Sequence, residues 1–264
     1  MPTIRIDEPD GSQSFHVTHG HEFNMPKLDA ADALSPIVGH FDAAIAALGL
    51  EIDHIHKTRE DQTLSRLGQD IKVLPAQDRI AANLAQRYGA VADEEAALNA
   101  REVALSAVPS IDPTHSAMAV EDREIRDFVR SLSIKERTDL LTRIDNEPGH
   151  ERVMLALLRS PMGLNQDAEF VRKVWNRTRR LANPTEAMSI DAGRRNVEWA
   201  KRGLVTAGAV AGVITKWDKT EMLRKLLANT NPVVQKGYGV FGFTEMDAAR
   251  EQRNVFARAG KRIP

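Results

Sequence analysis

Between Leu34 and Val108 apolar residues recur at the spacing of a helix packed on another helix. Ile45, Leu48, Ile52 and Ile55 step by 3, 4 and 3, and Leu64, Leu67, Ile71 and Leu74 repeat the steps. Such a seam lies along one side of a helix and demands a partner surface. The stretch from Lys57 to Thr63 carries no apolar residue. At about 100° per residue, the distance from Ile55 to Leu64 puts the second set on the opposite face. Either the helix breaks near residue 60, or one continuous helix serves two partners. Beyond Pro75 the pattern resumes in Leu84, Val91, Leu98 and Leu105, with Ile80 and Tyr88 widening the stripe. Proline suits the first turn of a helix and kinks an interior, so the two helices are expected to meet at Pro75. They form a hairpin within the chain, or their seams bind other subunits.

Aromatic residues are only 5% of the 264, which favours Leu, Ala and Val packing between helices over a sandwich or barrel. The chain has no cysteine, which removes disulfides and thiolate metal sites. No apolar run of signal-peptide type follows Met1-Pro2-Thr3-Ile4-Arg5, so folding in a reducing cytosol is expected. The net charge of −1 hides an asymmetry. Residues 1–164 hold 17 Lys and Arg against 27 Asp and Glu, a balance of −10; residues 165–264 hold 19 against 10, a balance of +9. A chain polarised in this way associates head to tail or turns its basic part to an acidic partner.

The N-terminus alternates around a Pro-Asp-Gly turn, Ile4-Arg5-Ile6 and then Ser14-Phe15-His16-Val17, and reads as a small β-hairpin. His16, His19 and His21 follow closely. They are weak candidates for a metal site and, through it, a metal-dependent hydrolase. The plainer reading is a solvated loop, because the spacing is neither His-x3-His nor HExxH. Val108 to His115, with two prolines, is the clearest linker. A helical region follows. Val120, Ile125, Phe128, Val129 and Leu132 line one helix face. Ser133 to Glu136 is a capping box opening the next helix, and Val153, Met154, Leu157 and Leu158 mark a third.

Glu124-Ile125-Arg126, Leu132-Ser133, Glu136-Arg137, Leu140-Leu141 and Leu155 to Leu164 with Ser160-Pro161 all lie within 124–164. Together they resemble a helical segment of uncharacterised tailed-bacteriophage virion proteins. The resemblance implies a place in a phage particle made in the host cytoplasm. It implies no residue-level function.

The helix expected over 166–181 is loaded with Arg172, Lys173, Arg177, Arg179 and Arg180. These form a solvated face, or they meet phosphates or an acidic protein. Pro184 to Trp217 reads as one long helix. Its uncharged part, Gly203 to Thr215, is shorter than the roughly 20 residues a bilayer needs. It is a buried helix, or a segment that enters a membrane only during genome ejection. From Asn229 the helical pattern stops. Tyr238, Phe241 and Phe243 alternate with glycine ahead of a basic end. Aromatic anchors on an extended tail suit docking into a partner, the alternative being a tail folded back on its own helices.

The expected fold is mainly α: an elongated helical hairpin and a helical bundle, a small N-terminal β-hairpin and an extended C-terminal tail. The expected segments are 1–33, 34–108, 116–228 and 229–264. The sequence holds no G-x-S-x-G, Walker A, Rossmann or HExxH motif, so neither enzymatic activity nor a cofactor is expected. A homo-oligomer is expected from the helix seams, and a structural role beside other virion proteins is what the phage resemblance implies. The alternative is a nucleic-acid-binding packaging or ejection protein that uses the basic half.

Overall fold

A computed structural model describes residues 4–9, 11–18, 21–29, 36–112, 114, 116–160 and 165–242. It is mainly α, with one small antiparallel sheet. By compactness the chain divides into two units. Residues up to Leu98 join those from Asp191 on, and Asn99–Ile190 form the second. The four consecutive segments expected from the sequence are therefore regrouped, because the later helices supply the core of the first unit.

The first unit opens with β1 (Ile4–Asp7), β2 (Ser12–Thr18) and β3 (His21–Pro26), in that order in the sheet. The expected hairpin is thus one strand short. Gly11 makes the first turn at φ +83°, a conformation that costs glycine nothing. One face carries Phe15, Val17, Phe23 and Met25, all buried. Phe15 pairs with Phe23 across the strands, with ring centroids 5.1 Å apart, and meets the edge of Phe41 at 5.5 Å. An isolated hairpin is marginal in water, and this packing on helices supplies what it lacks.

Helix α1 (Ile37–Glu60) and helix α2 (Arg66–Leu105) form the expected hairpin. The break falls at 61–65 and not at Pro75. Asp61 makes it: its carboxylate accepts from the Thr63 N–H at 2.9 Å and hydroxyl at 2.5 Å, and the Ser65 hydroxyl accepts from the Gly68 N–H at 3.1 Å. Local side-chain bonds of this kind outcompete the helical ladder. Pro75 lies inside α2, where it removes a donor to the Ile71 carbonyl. Ile45, Leu48, Ile52 and Ile55 are buried, as are Ile80, Leu84, Val91 and Leu98. The expected second seam is not: Leu67, Ile71 and Leu74 are 70%, 58% and 50% exposed.

Helix α7 (Pro184–Thr215) runs into this core from Asp191 on, and Leu204, Ala207, Ala211 and Ile214 are buried, as the buried-helix reading requires. A Cβ at Gly203 would meet the Phe41 ring at 2.7 Å and the Met25 sulfur at 2.8 Å. Small residues here admit close neighbours. The end of α7 leaves carbonyls without helical partners. Gln77 donates to the Thr215 carbonyl at 2.7 Å, and Arg59 donates to Ile214 at 2.9 Å and Thr215 at 3.1 Å. Buried Asn196 pairs with the Asp29 backbone, accepting its N–H at 2.6 Å and donating to its carbonyl at 2.9 Å.

Residues 229–242 are not extended. After α8 (Lys219–Leu227), α9 (Pro232–Lys236) and a 3-10 turn (Gly237–Phe241) fold onto the unit. The glycine alternation is a packing pattern. A Cβ at Gly237 would collide with the Ala85 backbone, and one at Gly239 would meet the Tyr88 ring at 2.6 Å.

The second unit contains α3 (Ser116–Ser131), α4 (Ile134–Asn146), α5 (Glu151–Leu158) and α6 (Asn165–Ala182). The capping box opens α4, with Ser133 and Glu136 bonded reciprocally. Val129, Leu140, Ile144, Met154, Leu157, Val171, Val174 and Trp175 form its core. The face expected on α3 is buried only at Val129, while Val120 and Phe128 are 57% and 59% exposed. Charge does the rest of the joining. Asp122, 1% exposed, is held by Arg152 and by Arg159 at 3.3 Å, both from the α5 side.

Candidate interaction surface

The aromatic residues read as partner anchors serve the fold. Phe241 is buried, with its ring 5.6 Å from Trp217, and Tyr238 is half-buried against the same core. Segment 232–242 is therefore part of the core, where alternate glycines let it approach α2. Phe243 lies outside the described residues.

The basic helix is largely occupied. Arg177 binds the Asp145 carboxylate at 2.6 Å and carbonyl at 2.8 Å, and Arg180 binds Glu102 at 3.1 Å. Arg179 donates to the Leu105 carbonyl at 3.4 Å and lies 5.6 Å over the Trp175 ring. Lys173 pairs with Glu169 at 3.5 Å one turn back, and Arg172 is exposed. Arg177, Arg179 and Arg180 thus join elements of the second unit, and Arg172 and Lys173 are left facing solvent.

His16 pairs with Glu22 at 3.0 Å on the polar face of the sheet. That face forms an open cup of about 520 Å³ with Glu8, Ser14 and Asn24, in which the Ser14 hydroxyl donates to Glu8 at 2.7 Å. His19 lies outside the described residues, as does the side chain of His21. Among the described residues no group of three His, Asp or Glu is placed to hold a metal, and no helix is long and apolar enough to cross a membrane.

Two other surfaces stand out in the first unit. A cleft of about 310 Å³ between α1 and α2 has an apolar floor of Ala44, Ala47, Leu48 and Ala82, and a bidentate Arg79–Glu51 pair at 2.7 and 2.8 Å beside it. The second is the face of α2 carrying Leu67, Ile71 and Leu74. Positions 67, 71, 74, 78, 81, 85 and 88 alternate steps of 4 and 3, so they lie on one line of the helix. The chain covers that line from Asp78 on. Lys225 of α8 binds Asp78 at 2.6 Å, Gly237 sits on Ala85, and Lys236 binds Asp93 at 2.6 Å beyond it. Among the described residues nothing covers it from Leu67 to Leu74.

The apolar spacing of this stretch is visible in the sequence, but its exposure is not. Exposure depends on how far along α2 the cover from residues 219–242 extends, which is a tertiary property. Comparison with protein-family models, curated proteins and solved structures finds no match.

Proposed function

We propose that the protein is a structural component of a bacteriophage particle, present in several copies and acting by binding other subunits rather than by chemistry. The observation that carries the binding role is the bare line of Leu67, Ile71 and Leu74 on α2. Three large aliphatic side chains in a row are a liability on a free monomer and an asset at an interface. Burying each fully is worth about 1.5–3 kcal/mol, while association costs roughly 4–15 kcal/mol. One such contact is weak alone and strong when repeated around an assembly, which suits a multi-copy component. The particle itself is proposed from the likeness of residues 124–164 to phage virion proteins.

Mass spectrometry of purified particles tests the location, and finding no peptide of this chain there removes it. Replacing Leu67, Ile71 and Leu74 together with Gln tests the binding role; the variant is expected to fold normally and to be lost from the assembly. Normal incorporation would defeat the reading. A salt titration of DNA binding tests the competing packaging role. With Arg177, Arg179 and Arg180 engaged inside the protein, no steep salt dependence is expected.

A further inference from the structure

We draw no further inference here: the strongest candidate, the open cleft between α1 and α2, has a floor of small apolar residues at Ala44, Ala47 and Ala82 and a rim whose Arg79 and Glu51 charges satisfy each other, and nothing in the structure shows what covers it.

Discussion

Gly237 has the least room of the described glycines. A Cβ there would collide with the Ala85 carbonyl, a backbone group that cannot rotate aside. Gly237→Ala is therefore expected to cost roughly 1–3 kcal/mol, the range for overpacking, and chemical denaturation measures it. Asp122 presents the opposite problem. Its carboxylate is buried beneath the Arg152 and Arg159 guanidinium groups, and Asp122→Asn takes the counter-charge from Arg159 while Arg152 keeps only Glu121, at 2.8 Å. A loss of about 2–4 kcal/mol is expected, somewhat below that of a fully buried pair because Arg152 reaches solvent. Glu186 adds a pH dependence. The Arg101 guanidinium, bonded to it at 2.9 and 3.1 Å, holds its carboxyl below the ordinary value of 4.5. A carboxylate depressed by folding contributes stability above its unfolded pKa and loses it as the pH falls through the folded one. The melting difference between wild type and Glu186→Gln, about 0.5 kcal/mol for a part-exposed pair, should be constant near neutrality and shrink below about pH 4.5. A difference unchanged at pH 3 would rule out this pairing.

At the scale of elements, α2 contains a residue its own propensity disfavours. Pro75 is exposed, nine residues into the helix, and denies the Ile71 carbonyl its partner. Packing of Val73, Ala76, Gln77 and Ile80 on the core keeps the helix continuous through it. Pro75→Ala should restore the bond and raise stability by about 1–3 kcal/mol, less whatever proline gains by restricting the unfolded chain. No rise in midpoint would mean that the helix is already relaxed at this point. Most helices were legible from the sequence, because 3.6-residue periodicity and caps such as Ser133 and Glu136 are local signals. Two things were legible only in part or not at all. The break at Asp61 was one of two alternatives left open by the apolar-free stretch 57–63, and the side-chain turn that decides it was overshadowed by a proline fourteen residues on. The helical fold of 232–241 rests on Gly237 meeting Ala85, a match between residues far apart in the chain that reads, in sequence alone, as a glycine-rich tail. The candidate surface was half legible: the spacing of Leu67, Ile71 and Leu74 was plain, their exposure was not. Deleting residues from Pro232 on should therefore lower the melting midpoint of the whole unit by many degrees, since Val234, Val240 and Phe241 leave its core. A truncated chain that melts normally would place that segment outside the core after all.

For the molecule as a whole, the charge asymmetry and the core argue differently. The acidic and basic parts are adjacent in sequence, yet much of the charge is neutralised within each unit: Lys201 on Glu95 and Lys225 on Asp78 in the first, Arg101 on Glu186 and Arg177 on Asp145 in the second. Exposed pairs of this kind contribute little stability. Stability has to come from the two apolar cores, and these are separate clusters of unequal size. The larger runs from Phe15 through Ile80 and Leu204 to Phe241; the smaller contains Val129, Leu157 and Trp175 with five other buried residues. A small core has less reserve against one deletion. Leu157 is 1% exposed, and truncating it to Ala should remove about 2–5 kcal/mol. Hydrogen exchange reads where that loss falls. If the units are separate cooperative blocks, amides of α3 to α5 lose protection in Leu157→Ala while those flanking Ile80 and Leu204 keep theirs. Calorimetry should then show one transition moving and one fixed. The opposing expectation is just as specific. The boundary between the units falls within α2 and α7, so if those helices transmit unfolding along their length, both sets of amides open together and a single transition shifts.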